Sequence, residues 1–138
     1  MKAINVYLTF DGNCRQAMEF YKTCFGGELY MMPFSEGPPE LKLPKKSKNR
    51  ILHSKLVSGP AELMASDAMP GMKFKQGNNF SVSIECDTRE ELERIFAAVG
   101  KRGKVTMPLQ DTFWGARFGM ITDKFGISWM LSLEKPKP

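Results

Sequence analysis

The chain has 138 residues, of which 42% are hydrophobic and 25% charged, and its formal net charge is +5. This length suits one domain with a real core. No apolar run is long enough to cross a bilayer, and MKAINVYLTF is too short and strand-like for a signal peptide, so we expect a cytoplasmic protein. The three cysteines lack metal-type spacing, which indicates free thiols.

Much of the positive charge lies in KLPKKSKNR, at 42–50, and in the C-terminal EKPKP. Such segments can attract nucleic acid or an acidic ligand. No aromatic residue interleaves the 42–50 run, however, and no nucleic-acid motif accompanies it. We therefore interpret both segments as solvated and expect no nucleic-acid partner.

The chain opens with a predicted strand and a predicted helix. Residues 4–10, INVYLTF, alternate apolar and polar side chains, as in a strand with one buried face. A helical pattern follows, with Asn13 and Gln16 at capping-box spacing. Gly26 and Gly27 then end the predicted helix.

Three further strands are predicted before residue 68. ELYMMPF, at 28–34, is typical of a strand, whereas the proline-rich, charged residues 35–50 predict a long mobile loop. ILHSKLV (51–57) and AELMASD (61–67) predict a hairpin about Ser58-Gly59-Pro60. Residues 69–77 are interpreted as a linker.

The same pattern then begins again. FSVSIEC, at 80–86, alternates and places Cys86 on its helix-facing side, where we expect an inert buried thiol. Thr88 and Glu91 have capping-box spacing at the start of a second helix. The remaining predicted elements are a glycine stop at Gly100 and Gly103, the strand KVTMPL, and a closing hairpin of ARFGMIT and ISWMLSL about DKFG.

An offset of 76 residues aligns the two halves without a gap and places Gly27 on Gly103. Each half reads β-α-β-β-β, which predicts two modules, 1–68 and 78–134, within one domain. One helix can cover one face of such a small sheet. The other face of each sheet is left needing a partner.

Two segments, YLTFDGNCRQAMEFYKTCFGGE and FWGARFGMITDKFGISWML, resemble the PhnB-like branch of the glyoxalase/bleomycin resistance/dioxygenase group, the vicinal oxygen chelate superfamily. The resemblance covers nearly the whole chain. It implies an α+β fold of two βαβββ modules whose curved mixed sheets surround a cavity, and commonly a homodimer. Such sequences have also been labelled demethylubiquinone methyltransferases. This sequence does not support that label, because it has no glycine-rich strand-to-helix loop of the kind that a nucleotide-like cofactor needs.

The resemblance also implies where a metal ion would bind. The first-strand ligands fall on Asn5 and Ser81, and the last-strand ligands fall near Met64 and on Met130. Zinc prefers imidazole, thiolate or carboxylate, and magnesium and manganese prefer oxygen anions. We therefore expect no metal and no cofactor, with a divalent metal as the alternative.

Two polar residues are candidate catalytic groups. His53 is the single histidine and Glu85 lies on the predicted cavity face. His53 could be a general base or a lone metal ligand beside Glu85 or Glu62, or simply a strand histidine at the cavity wall. Arg117 is flanked by apolar residues. If its side chain is buried it needs an acidic partner, and the candidates are Asp111 and Glu85.

The aromatic residues Phe113, Trp114 and Trp129 fit either a ligand-binding wall or core and interface packing. The first functional hypothesis is metal-independent binding of a small, mostly apolar molecule. The alternative is a metal-dependent lyase, isomerase or dioxygenase built on His53 and Glu85. The expected ligand-binding residues are Asn5, Tyr7, Ser81, Ser83, Met130 and Trp129.

Overall fold

The computed structural model describes residues 1–39, 44 and 47–134. The chain divides into two compact units, Met1–Gln76 and Gly77–Pro138. The boundary lies at the end of the segment interpreted as a linker, 69–77. Among the described residues, no helix is both long and apolar enough to cross a membrane.

The first unit contains one helix and a four-stranded sheet with strand order β1-β4-β3-β2. Strands β1 and β4 are parallel, and the other neighbours are antiparallel. A short 3₁₀ helix, Phe34–Glu36, follows β2. The remaining elements are β1 (Tyr7–Phe10), α1 (Cys14–Phe25), β2 (Glu28–Pro33), β3 (Ile51–Ser58) and β4 (Ala61–Asp67).

The second unit repeats this plan, with strand order β5-β8-β7-β6 and a parallel pair formed by β5 and β8. The α+β class and the duplicated β-α-β-β-β order are therefore confirmed. The strands β1 and β5 are shorter than their sequence patterns predict. The elements are β5 (Val82–Glu85), α2 (Arg89–Val99), β6 (Lys104–Asp111), β7 (Ala116–Thr122) and β8 (Ser128–Glu134).

Each helix covers one face of its own sheet. Helix α1 packs on β2, β3 and β4, and α2 packs on β7 and β8. Alternate residues of β4, among them Leu63, Ala65 and Asp67, are buried, whereas the residues between them remain partly exposed. Burial of one face of each sheet supplies the hydrophobic stabilisation of each unit.

The start of α1 differs from the prediction. Asn13 makes no side-chain capping hydrogen bond, so the capping box predicted with Gln16 is wrong. Instead Asp67, 3% exposed at the end of β4, accepts hydrogen bonds from the backbone N–H groups of Gly12, Cys14 and Ile51 at 2.8, 3.0 and 2.8 Å. A carboxylate distant in sequence thus satisfies donors at the helix start and in β3.

The start of α2 agrees with the capping box predicted from the sequence. The Thr88 side chain accepts a hydrogen bond from the Glu91 backbone N–H at 3.1 Å, as predicted. The Glu91 carboxylate accepts from the backbone N–H of Asp87, also at 3.1 Å. This reciprocal arrangement satisfies two donors that the helix leaves without an internal partner.

The aligned glycines Gly27 and Gly103 occupy the same kind of place in the two units. A Cβ on Gly27, whose φ is +89°, would overlap the backbone carbonyl oxygen of Val57. A Cβ on Gly103 would lie 2.5 Å from the Thr122 carbonyl oxygen. In each unit the chain leaving the helix therefore passes against the strand backbone so closely that only glycine fits.

The DKFG turn between β7 and β8 is organised by a buried carboxylate. Asp123, 3% exposed, accepts hydrogen bonds from the backbone N–H groups of Phe125 and Ile127 at 2.8 and 3.0 Å. Its other oxygen accepts from the Trp129 indole N–H at 2.8 Å. One aspartate thereby fixes the closing hairpin to the core of the second unit.

The predicted mobile loop, 35–50, lies partly outside the described residues. Its described ends are joined by backbone hydrogen bonds. The N–H groups of Phe34 and Ser35 donate to the carbonyl oxygens of Arg50 and Lys48 at 2.8 and 3.1 Å. These bonds bring the two ends of the loop together beside β2 and β3.

Candidate functional site

In each unit the sheet has one face opposite its helix, which we call the helix-free face. Side chains alternate between the two faces of a strand, and residues paired across strands share a face. The first helix-free face therefore carries Tyr7, Tyr30, Met32, His53, Lys55, Glu62 and Met64. The second carries Ser83, Glu85, Met107, Phe118, Met120, Met130 and Ser132.

The first helix-free face contains an ordered polar pair. The Tyr7 hydroxyl and His53 Nδ1 are 2.9 Å apart. Their rings are stacked, with centroids 5.7 Å apart and planes inclined by 21°. Because the two residues lie on β1 and β3, with β4 between them, the pair spans much of the sheet.

Two further polar contacts flank this pair. Lys55 Nζ lies 2.6 Å from a Glu62 carboxylate oxygen, on side chains that are 42% and 31% exposed. The Tyr30 hydroxyl donates to Glu28 at 2.7 Å, and this hydrogen bond raises the pKa of Tyr30. Both contacts are solvated, so their contribution to stability is small.

The second helix-free face carries a row of three methionines. Ser83 faces Met130, Met130 faces Met120, and Met120 faces Met107 across successive strands. All three methionines are half-buried. Methionine side chains are flexible and polarisable, so such a row can adapt its shape to an apolar ligand.

The predicted ligand-binding residues are divided among three environments. Tyr7, Ser83 and Met130 lie on helix-free faces, as do the candidate catalytic residues His53 and Glu85. Asn5 and Ser81 are exposed and precede the strands β1 and β5 that were expected to contain them.

Trp129 lies on the opposite face from its neighbour Met130. It is 2% exposed and its indole N–H is bonded to Asp123. Adjacent strand residues point to opposite faces, so Met130 and Trp129 cannot both line the helix-free face. Trp129 therefore fills the core of the second unit. Phe113 and Trp114, in contrast, are 97% and 62% exposed between β6 and β7.

The donor atoms at the positions implied for a metal ion do not fit a divalent cation. Met64 and Met130 supply soft, neutral sulfur atoms, and Asn5 and Ser81 supply neutral oxygens from outside the strands. Hard and borderline divalent ions need anionic oxygen, imidazole or thiolate ligands. Within 1–39, 44 and 47–134, no three His, Cys, Asp or Glu residues are grouped to hold a metal.

Arg117 forms one of the two ion pairs expected for it. Its Nη1 lies 3.5 Å from an Asp111 carboxylate oxygen, and the two residues face each other across β6 and β7. The arginine side chain is 22% exposed and that of Asp111 is 59% exposed. This placement supports a structural role at the edge of the sheet.

The thiols are poor nucleophiles. Cys14, Cys24 and Cys86 are all buried and free. Burial raises the pKa of Cys14 to about 12, although a hydrogen bond with Ser54 opposes this rise, and burial raises the pKa of Cys86 to about 11. The burial expected at Cys86 is therefore confirmed, and the raised pKa agrees with the inert thiol predicted there.

The low reactivity of the three buried thiols can be measured directly by titration with a chromogenic disulfide at pH 8. A raised pKa keeps the thiolate fraction small until the pH approaches the folded-state value, so the native protein should react at least about tenfold more slowly than the unfolded protein. All three thiols should react in guanidinium chloride. Native-state reaction at the rate of free cysteine would contradict the buried placement.

Several residues of the first helix-free face were not among the predicted site residues. Tyr30 and Met32 follow from the alternation of β2, and Lys55 from that of β3, once His53 is placed on the same face. The period-two pattern was therefore a sufficient signal for them. The role of Asp67 had no such local signal, because its partners lie far away in the sequence.

The comparisons with known proteins agree with this architecture. Residues 2–132 match the family described as 3-demethylubiquinone-9 3-methyltransferase. Protein YjdN of Escherichia coli K12 is 33% identical over 144 residues, which cover 98% of this chain and 97% of YjdN. Protein PA1353 of Pseudomonas aeruginosa is 39% identical, with a TM-score of 0.84 and coverage of 97% of this chain and 100% of the other.

Two other solved structures extend the likeness. A protein from Bacillus cereus described as a putative 3-demethylubiquinone-9 3-methyltransferase, PhnB protein, is 27% identical with a TM-score of 0.74, covering 96% and 99% of the two chains. A glyoxalase/bleomycin resistance protein/dioxygenase family enzyme from Burkholderia phytofirmans is 14% identical with a TM-score of 0.59, covering 94% of each chain. The latter likeness concerns the fold alone.

Proposed function

This chain belongs to the family described as 3-demethylubiquinone-9 3-methyltransferase, the PhnB-like branch of the vicinal oxygen chelate superfamily, and we propose that it binds a small, mostly apolar molecule without a metal ion. The methyl transfer in the family's description is not part of the proposal. The sequences before the two helices, DGNC and CDTR, contain no glycine-rich loop of the kind a nucleotide-like cofactor needs.

The observation that carries the proposal is a matched pair of cross-strand register partners in the two sheets. Tyr7 faces Met64 across β1 and β4, and Ser83 faces Met130 across β5 and β8. Tyr7 and Ser83 are related by the 76-residue offset of the repeat. Each helix-free face thus pairs a hydroxyl-bearing residue with a methionine on the neighbouring strand, in the region where the family resemblance implies a metal ligand.

This chemistry suits an apolar ligand with few polar groups. Small-molecule sites are mostly apolar and use a small number of placed polar groups to fix orientation. Thioethers supply adaptable contact area, and the Ser83 hydroxyl can donate or accept a hydrogen bond, whereas the Tyr7 hydroxyl, which is hydrogen-bonded to His53, keeps only its capacity to accept. Sequestration of such a molecule needs no catalytic group.

The proposal is tested by following methionine methyl signals during titration with ethylbenzene. In protein labelled at the methionine methyl carbons, we expect saturable shifts of Met64 or of Met120 and Met130. Met72, which is 56% exposed in the linker, serves as the internal control. Affinity should change less than about twofold when a chelator is added, since the donor set does not suit a divalent ion.

Two results would contradict the proposal. One is the absence of any saturable shift on either helix-free face. The other is binding that the chelator abolishes and zinc, nickel or manganese restores, which would favour the metal-dependent alternative built on His53 and Glu85. Those two residues lie in different units, His53 on β3 and Glu85 on β5. The homodimer and the cytoplasmic location stay predictions of the sequence.

A further inference from the structure

The Tyr7–His53 pair fixes the orientation of an imidazole on the first helix-free face. The hydrogen bond of 2.9 Å and the ring stacking at 5.7 Å hold His53 through two different contacts. Tyr7 is 45% exposed, so the pair is accessible from solvent. Together the two contacts favour one orientation of the imidazole ring.

The direction of the hydrogen bond determines what His53 offers to a ligand. A phenol is a better donor than acceptor, so we expect the Tyr7 O–H to donate to Nδ1 of the neutral imidazole. The proton of the neutral ring then lies on Nε2, because a neutral imidazole has one N–H. Among the described residues, Nε2 has no hydrogen-bond partner in the protein. The ring therefore presents one oriented, unused donor.

The neighbours of this donor on the first helix-free face are both apolar and polar, and Ser66 of β4 is among the polar ones. Met32 faces His53 across β2 and β3, and Met64 lies between Tyr7 and Lys55 in the register. Lys55 is two residues from His53 on the same strand and the same face. Its charge is partly balanced by Glu62 at 2.6 Å. The partner that an N–H donor needs is an acceptor oxygen, and the neighbouring thioethers suit an apolar body attached to that oxygen.

We propose that His53 Nε2–H is the anchoring donor for an acceptor oxygen of the ligand, and that Tyr7 is the residue that positions it. This inference rests on the proposed function and names its ligand class. The ligand carries a carbonyl or carboxylate oxygen on a compact apolar body. The apolar body contacts Met32 and Met64 while the oxygen accepts from Nε2.

The first test reads the tautomer and needs no ligand. Because the chain has a single histidine, a long-range ¹H–¹⁵N spectrum of the labelled protein at pH 8 shows one imidazole. We expect a pyridine-like shift for Nδ1 and a pyrrole-like shift for Nε2. Tyr7→Phe should move both signals toward a mixture of tautomers. Tyr30→Phe, on the same face but bonded to Glu28, is the matched control and should leave them unchanged.

The second test compares acetophenone with ethylbenzene, which has a similar size but lacks the carbonyl oxygen. We expect acetophenone to bind about fivefold more tightly and to shift the Nε2 signal, as is typical of one added neutral hydrogen bond. The preference should disappear in His53→Leu and persist in His53→Gln, whose side-chain N–H groups can take the place of Nε2–H. The substituted side chains, Tyr7, Tyr30 and His53, are all exposed. A backbone amide spectrum checks that each variant is folded.

The outcomes separate the two proposals. A proton on Nδ1 in the free protein, or an undiminished preference for acetophenone in His53→Leu, would overturn the role of His53 while leaving apolar binding intact. Equal affinity of the native protein for acetophenone and ethylbenzene would also overturn the role of His53 and leave apolar binding intact. If neither probe shifts a methionine methyl on the helix-free faces, the proposed function itself fails, and this inference fails with it.

Discussion

Asp67→Ala is expected to lower the free energy of unfolding by about 3 to 5 kcal/mol. The substitution leaves the backbone N–H groups of Gly12, Cys14 and Ile51 without their acceptor. Each buried donor without a partner costs about 1 to 3 kcal/mol. The change also removes a negative charge from the N-terminal end of α1, where it stabilises the helix dipole.

The matched control for this prediction is Asp11→Asn. Asp11 also carries an acidic side chain near the start of α1, but it is 54% exposed and pairs with Arg50 at 3.1 Å. Solvated ion pairs contribute about 1 kcal/mol or less. Chemical denaturation should therefore separate the two variants clearly. If Asp67→Ala is no less stable than Asp11→Asn, Asp67 does not hold β4, α1 and β3 together.

Gly27→Ala is expected to cost about 3 kcal/mol or more, through two effects that act together. The backbone φ of +89° is unfavourable for alanine, and the added methyl group would overlap the Val57 carbonyl oxygen and lie 2.9 Å from the Ser58 Cα. Both obstacles belong to the strand backbone, which cannot rotate away as a side chain can. The chain must therefore shift where it enters β2.

The neighbouring glycine provides a control for backbone strain. Gly26 has a φ of +74°, but a Cβ built on it meets nothing within 4 Å. Gly26→Ala should therefore show the conformational cost alone, about 1 to 3 kcal/mol. We expect Gly27→Ala to be less stable than Gly26→Ala in parallel denaturation experiments. Equal losses would show that the close approach to Val57 is relieved without cost.

Local sequence patterns were sufficient to predict most of the fold. The alternation in 51–57 and 61–67, with glycine and proline between them, predicted the β3–β4 hairpin, because strand periodicity and turn residues are local signals. Thr88 predicted the α2 cap for the same reason. Asn13 failed at α1 because a tertiary contact from Asp67 supplied the acceptor instead. No pattern within one helical turn can reveal that the distant Asp67, rather than Asn13, accepts the hydrogen bonds at the start of α1.

The part of the candidate site that could be predicted is the part that follows from strand parity, the alternation of successive side chains between the two faces of a strand. Parity placed Tyr7 and Ser83 on helix-free faces correctly, and it also implied that Met130 and Trp129 must point in opposite directions. The set of expected ligand-binding residues included both of them, although only Met130 lies on the helix-free face. The Tyr7–His53 hydrogen bond crosses an intervening strand, so its existence depends on the strand order β1-β4-β3, which local periodicity does not determine.

The strand order also has a consequence for synthesis on the ribosome. β1 is at the edge of its sheet and its neighbour is β4, the last strand of the first unit to be translated. Until the residues around Met64 leave the exit tunnel, the nascent chain has a β3 edge without its partner, and such edges invite pairing with other chains. Once β4 is available, the first unit can close before the second is complete. A pause in translation after β4 has left the exit tunnel would therefore protect the nascent chain, whereas a pause while β4 is still inside the tunnel would expose the β3 edge to aggregation.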